Sequence, residues 1–246
     1  MFLAAVKNSI AFRVSPESRF WLLMRKAARL LPPRVRATFS IQAILRSFAE
    51  NVGDVFFLQI GSFDGIQNDP IHDLVIRYQW AGLLVEPVKS SFDRLLDTYR
   101  NNDSLRFENV AIAETEGSRQ FWRLKETAET VGWHGQLSSF RREVILNHAN
   151  LIPDIENLLI SDEVHCTTIE SLVRKHGIQR IDLLHLDTEG YDFEILKTFD
   201  FRNLRPRVVL YEHAHLSPAE KSACSDFLRN KGYKLLEEGT DSIAFL

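Results

Sequence analysis

At 246 residues the chain is long enough for one large α/β domain with a substantial core. Its hydrophobic content of 45% and charged content of 26% are ordinary for a globular protein, and a net charge of −3 leaves no electrostatic footprint for nucleic acid. Cys166 and Cys224 have no metal-type or disulfide-framework spacing, no apolar run reaches 18 residues, and no secretory leader is recognisable. A cytoplasmic location is the expectation.

In chain order, residues 1–36 are strongly basic, with a net +7 against −10 for the rest. Phe20-Trp21-Leu22-Leu23-Met24 beside Arg25, Lys26 and Arg29 forms an apolar stripe next to a basic face. Leu31-Pro32-Pro33 stops that helix, and a helical pattern restarts from Phe39 to Phe48. Residues 1–50 are therefore expected as a basic helical appendage covering one edge of the main domain. The second reading of residues 1–36 is peripheral membrane contact or partner docking.

From residue 51 to 246 the chain alternates apolar strands with amphipathic helices, which argues a mostly parallel sheet covered on both faces. Strands are predicted at 55–60, 82–86, 106–111, 181–187, 206–212, 233–238 and 241–246. Helices are predicted near 70–79, 89–100, 168–176, 191–198 and 218–231. Asp69 serves as N-cap of the first of these helices, with Pro70 at its first position. Glu238-Gly239-Thr240-Asp241 joins the last two strands closely enough for an antiparallel hairpin. Residues 118–125 read as one more strand. The stretch 126–163 breaks the rhythm, with a helix-like run from Ser138 to about Asn150, and an insertion of that length is expected to serve function.

Two apolar runs end in turns that carry carboxylates. Val55 to Ile60 runs into Gly61-Ser62-Phe63-Asp64-Gly65, and Gly82 to Val85 ends at Glu86-Pro87. Strand, helix and strand at this spacing place Glu86 where a carboxylate accepts hydrogen bonds from ribose hydroxyls. The two-glycine turn lacks the three close glycines that bring backbone amides to a pyrophosphate, and Asp64 would repel a phosphate. A cationic or amine-bearing ligand suits it better, which speaks against a nicotinamide-dependent reductase. Phe107-Glu108-Asn109-Val110-Ala111-Ile112 belongs beside the second strand, where Asn109 or Ala111 can read an adenine edge.

Further along, Ile181 to Leu186 delivers Asp187 to the carboxyl edge of the sheet, followed by Thr188-Glu189-Gly190-Tyr191. Alternation puts His185 and Asp187 on one face, and Glu189 opens the next helix. Val208 to Tyr211 ends in Glu212-His213-Ala214-His215 at the same edge. His134, His185, His213 and His215 are candidates to converge there. Asp187, Glu212 and His213 are a conceivable set for a divalent ion, but the spacing is not diagnostic and no metal ligands are assigned.

These runs, from Leu58-Gln59-Ile60-Gly61 through Leu84-Val85-Glu86-Pro87, Asn109 to Ile112, Ile181 to Tyr191 and Tyr211-Glu212, resemble the FkbM family of S-adenosylmethionine-dependent methyltransferases over about residues 53–246. The resemblance implies a class I methyltransferase fold: a Rossmann-like, mostly parallel seven-stranded sheet with a terminal antiparallel hairpin. It implies S-adenosyl-L-methionine as cofactor. The positions matching its motifs are Gln59, Gly61, Ser62, Asp64, Gly65, Glu86, Pro87, Asn109, Val110, Ala111, Asp187 and Glu189. Gly61, Asp64 and Gly65 would wrap the methionine part, Glu86 the ribose and Asn109 to Ile112 the adenine side, with Asp187 near the reactive methyl. Gln59 departs from the acid that many class I enzymes carry there.

The expected activity is O-methylation of a hydroxyl on a sugar, glycan or secondary metabolite. Asp187 and His213 are the candidate bases, with His134 as a third. The 126–163 insertion is expected to close over the acceptor, with Trp133, Gln136, Ser138 and Ser139 as contacts and Glu212 on the substrate side. Arg141 and Arg142 would suit an anionic acceptor. The rival from another class is a non-catalytic domain that keeps the cofactor fold and works through its basic N-terminal helices. Oligomeric state is not legible.

Overall fold

The computed structural model describes residues 40–126 and 133–246. The basic stretch 1–36, with its expected membrane or partner contact, lies outside the described residues. Among those described, no helix is long and apolar enough to cross a membrane.

The first element is helix α1 (Ile41–Asn51), started by Ser40, whose side chain accepts from the Ala43 amide. Ile41, Leu45, Phe48 and Ala49 on one side of α1 enter the same apolar cluster as the sheet residues Phe57, Leu84 and Leu210. The expected boundary at residue 50 therefore falls inside the packed domain: α1 is part of its core rather than an appendage.

Strand β1 (Phe56–Ile60) leads to α2 (His72–Tyr78), β2 (Ala81–Val85), α3 (Lys89–Thr98) and β3 (Leu105–Glu108). Helix α2 begins later than expected, because Asp69 accepts the Ile71 amide through Oδ1 and holds residues 69–71 as a turn. The predicted strand 106–111 is in fact two. After β3 the chain breaks at Asn109, whose amide side chain donates to the carbonyls of Glu86 and Pro87, and β4 (Ala111–Ile112) joins a different sheet.

That second sheet is built from β4, β5 (Gly117–Leu124), β6 (Ser138–Ser139) and β7 (Leu159–Thr167), in the order β4-β7-β5-β6. Strands β5 and β7 pair antiparallel from Gly117↔Cys166 to Leu124↔Leu159. Much of the predicted insertion is thus strand and turn. The expected helix from Ser138 to about Asn150 shrinks to α4 (Arg142–Leu146), with α5 (Ile155–Leu158) just before β7.

The chain then returns to the main sheet through α6 (Ile169–His176), β8 (Leu183–Leu186), α7 (Asp192–Thr198), β9 (Val208–Glu212), α8 (Pro218–Asn230), β10 (Lys234–Glu238) and β11 (Asp241–Phe245). Helix α6 is bounded by its Thr168 cap and by Gly177 in the left-handed region; α8 opens with a Ser217–Glu220 capping box and Pro218. The seven strands run β3-β2-β1-β8-β9-β11-β10. The first five are parallel, and β11 is antiparallel to both of its neighbours, as the terminal hairpin requires.

Alternation along the strands builds two cores. Leu58, Ile60, Leu184, Leu186, Val209 and Tyr211 face α6, α7 and α8. Phe57, Leu183, Leu84, Leu210 and Ile243 face α1, α2 and α3. Each fully buried Leu, Ile or Phe contributes about 1.5–3 kcal/mol, so the two faces clamp the sheet and fix where its carboxyl ends lie.

Candidate active site

The carboxyl ends of β1, β2, β8 and β9 open into a cavity of about 660 Å³, roofed by Phe121, Trp133, Gln136, Leu137, Ser138 and Phe140 of the second sheet and its loop. That volume lies in the range of small-molecule and cofactor sites. Of the lining residues, Trp133, Gln136, Leu137, Ser138 and Phe140 come from the stretch 126–163. Gln136 fastens it: its Oε1 accepts from Asn68 at 2.8 Å and its Nε2 donates to the Gln67 carbonyl at 2.9 Å.

The turn after β1 packs tightly against the end of β8. Gly61 has φ +82°, and a Cβ there would sit 1.7 Å from the Asp187 carbonyl oxygen. The Gly61 and Ser62 amides donate to the Val85 carbonyl, so the turn is fixed to the tip of β2. Gly61, Ser62 and Phe63 line the cavity.

Asp64 and Gly65 do not line it. The Asp64 carboxylate is spent on its own turn, accepting the Ile66 and Gln67 amides at 2.9 Å and the Gln67 side chain at 2.6 Å. Gly65 (φ +73°) packs on Tyr99 and Leu95. The expected contact of these two residues with a ligand's methionine part gives way to a structural role, because the loop folds back on α3 after Phe63.

Glu86 lies at the tip of β2, 4% exposed, and lines the cavity with Pro87. Its Oε2 accepts the Phe63 amide at 2.9 Å and its Oε1 the Val88 amide at 2.8 Å. Burial raises its pKa to about 7 against the pull of those donors. Asn109 holds this tip from behind and does not line the cavity, whereas Val110, Ala111 and Ile112 do.

A polar lobe opens across β8 and β9. Parity on the strands sends Gln59, His185, Asp187 and Glu212 to one face, and Asp241 pairs with Glu212 across the β9–β11 register; all five line the cavity. Gln59 is 2% exposed; its Nε2 donates to Asp69 Oδ2 at 3.2 Å, and its Oε1 has no partner among the described residues. His185 is 4% exposed with Nδ1 likewise unpartnered, and burial holds its pKa down near 3, so its ring is neutral. Burial and the charges of Glu189 and Asp192 push the Asp187 carboxyl well above the usual range; burial with Glu189 and Asp187 does the same for Glu212.

Glu189 sits at φ +50° before Gly190 at +91°, its carbonyl held by the Ser139 hydroxyl at 2.7 Å. Asp192 lies fully buried below, accepting from the Thr188 hydroxyl at 2.8 Å and the Glu212 amide at 3.2 Å, which ties the loop after β8 to β9.

Two expected bases are not brought in. His213 follows Glu212 by one residue and so points to the opposite face, where its Nδ1 lies 2.9 Å from the Ser242 hydroxyl. His134 lies against the Trp133 ring and does not line the cavity. Arg141 is engaged by Glu220 at 3.0 Å and Arg142 stands over Trp122, so neither offers an anion site in the cavity. Of the four histidines expected to converge, His185 and His215 do line the cavity, and Asp69, Tyr191 and Asp241 line it as well without having been expected there. The strand alternation that places Glu212 also separates it from His213, and it is the signal that was available for this correction.

No curated protein matches the sequence. Among solved structures, the methyltransferase FkbM from Methylobacillus flagellatus KT is similar at 10% identity and a TM-score of 0.47, covering 79% of this chain and 44% of that one. This chain thus spans under half of that protein's length. Precorrin-6y C5,15-methyltransferase from Geobacter metallireducens GS-15 gives 10% identity and 0.41 over 83% of this chain and 87% of that one. The Methanococcus jannaschii fibrillarin pre-rRNA processing protein gives 10% and 0.38, over 78% and 66% respectively. Residues 59–235, most of the chain, match the methyltransferase FkbM domain, and the chain belongs to that family.

Proposed function

We propose that this methyltransferase transfers the methyl group of S-adenosyl-L-methionine to a hydroxyl oxygen on a sugar, glycan or other polyhydroxylated metabolite. The cofactor, when bound, supplies an electrophilic methyl on a sulfonium. The residues present fit it. Glu86 is a buried acceptor for ribose hydroxyls, Val110 to Ile112 with Phe121 offer an apolar wall to the adenine, and Gly61 leaves the space that a Cβ would fill. The carboxylates of the polar lobe favour a positive charge beside them.

The observation that carries the acceptor class is the chemistry of that lobe. Gln59, His185, Asp187, Glu212 and Asp241 give a concentration of hydrogen-bond acceptors, three of them (Gln59, His185 and Glu212) with a buried polar atom that has no partner among the described residues, and Trp133 stands at the rim. Hydroxyl groups are the donors that satisfy such a surface without adding charge, and an aromatic face at the rim suits a sugar ring. Asp187, at the end of β8, lines the cavity, and in its ionised form it is the group to which we assign the hydroxyl proton, a role commonly worth ~10²–10⁴-fold. Holding the acceptor in line is the larger contribution, ~7–11 kcal/mol at the extreme.

The test is incubation with S-adenosylmethionine carrying a labelled methyl carbon and a panel of glycosides and polyols, read by carbon NMR of the product. An ether-type methyl that is lost in Asp187→Asn, with S-adenosylhomocysteine affinity kept, supports the reading. A methyl on nitrogen or carbon overturns the acceptor class.

A further inference from the structure

Glu189 and His215 have no task in that reaction, and they stand beside Glu212 of the acceptor lobe to make a group of three potential ligands. One ligand atom from each lies within 4.8 Å of the others. His215 Nε2 is 2.8 Å from a Glu189 carboxylate oxygen and 3.6 Å from Glu212 Oε1. The three come from different segments, the loop after β8, the end of β9 and the turn beyond it. Two features hold them together: Gly190, whose missing Cβ lets His215 pack within van der Waals distance, and the Ser139 hydroxyl on the Glu189 carbonyl.

Hydrogen bonding within the protein does not exhaust this cluster. The second Glu212 oxygen, Oε2, is buried with no partner among the described residues. One layer down the strands, on the same face of the sheet, Gln59 and His185 are paired neighbours. Each is more than nine-tenths buried and carries a polar atom without a partner, Oε1 and Nδ1, in the same cavity. A single imidazolium would offset only one of the carboxylates gathered here, and Asp187 adds another. Buried carboxylates of this number are found where a cation neutralises them.

We infer that Glu189, Glu212 and His215 form a binding site for one divalent cation of the Mn²⁺ type. Two carboxylates and one imidazole on one side of an ion match Mn²⁺ or a similar borderline ion, and they leave coordination positions open. Those positions face the lobe assigned above to the acceptor, so two neighbouring hydroxyls of a polyol would complete the shell. Only this last role rests on the proposed methyl transfer; the binding of the ion does not. The sequence offers Asp187, Glu212 and His213 as a conceivable ligand set; the cluster keeps Glu212, and Glu189 and His215 stand in place of the other two.

The experiment uses the full chain, stripped with chelator and free of cofactor, titrated with Mn²⁺ and followed by electron paramagnetic resonance. The expected result is one ion per chain, nitrogen hyperfine coupling from an imidazole in the wild-type spectrum, and at least tenfold weaker binding in Glu212→Gln and His215→Asn. Absence of Mn²⁺ binding by wild-type protein that still binds S-adenosylhomocysteine overturns the site. So does bound Mn²⁺ without nitrogen coupling, a readout that needs no variant to fold. Mn²⁺ binding with that coupling in a protein that methylates no hydroxyl rejects the acceptor reading and supports the metal site. Methyl transfer with no metal binding does the reverse.

Discussion

The Glu86 carboxylate ties the Phe63 and Val88 amides together at the tip of β2, and the proposed function gives it a second task as acceptor for the cofactor's ribose. With its pKa raised to about 7 by burial, about half of the molecules hold a proton there at neutral pH. Hydroxyl donors on a bound ribose favour the ionised form, so binding S-adenosylhomocysteine at pH 7 should release up to about half a proton. Calorimetry in buffers of different ionisation enthalpy measures this directly. Glu86→Gln should abolish the release and weaken binding by roughly tenfold or more, the loss of one or two charge-assisted hydrogen bonds; an unchanged buffer dependence would remove Glu86 from the ribose site. Asp64 should behave oppositely. Its carboxylate satisfies three donors of its own turn, so Asp64→Ala is expected to lower stability by about 1–3 kcal/mol in a urea titration while leaving homocysteine-cofactor affinity within a few-fold.

The adjoining ends of the paired strands β1 and β8 are the element on which the site is hung. Because a Cβ on Gly61 would overlap the Asp187 carbonyl, Gly61→Ala must push the two strand ends apart and impose a side chain at φ +82°. The expected loss is about 3–5 kcal/mol, seen as a lower urea midpoint with an unchanged slope, and a variant of wild-type stability would mean that the turn is not held as described. Parallel strands buried on both faces read as continuous apolar runs, which is why β1, β2, β8 and β9 and the acids at their ends were legible in the sequence. Strand β7 was not, because Ser161-Asp162-Glu163 face solvent and only Val164 and Cys166 mark its buried side. The split between β3 and β4 hid for a related reason: Asn109 turns the chain through side-chain bonds to the Glu86 and Pro87 carbonyls, a tertiary contact that no local pattern encodes. Asp64 was misassigned because an acid in a glycine turn looks the same in sequence whether it faces a ligand or closes its own loop.

Across the whole molecule the buried titratable groups make stability depend on pH. Asp69 and Asp192 are raised to about 6 and Glu86 to about 7, all by burial, with Asp187 and Glu212 raised in the same direction. A carboxyl whose folded pKa exceeds its unfolded value binds more protons in the native state, so it stabilises at low pH and loses that contribution as pH rises through the window between the two values. For Glu86 that window runs from 4.5 to about 7. His185 works the other way. Its folded pKa near 3 lies below 6.5, so its contribution is present above pH 6.5 and is lost as the pH falls toward 3. Above about pH 6.5 the histidine no longer changes, and the carboxyls alone set the slope. Five raised carboxyls outweigh one histidine, so protein free of cofactor and metal should melt several degrees higher at pH 4.5 than at pH 8. Removing the opposing group by His185→Gln should steepen the fall below pH 6.5, and a cation bound among the carboxylates should flatten it. Thermal melts from pH 4.5 to 8.5 of both proteins decide it: a melting temperature that climbs steadily to pH 8 would show that the cavity carboxyls are not held neutral in the folded state.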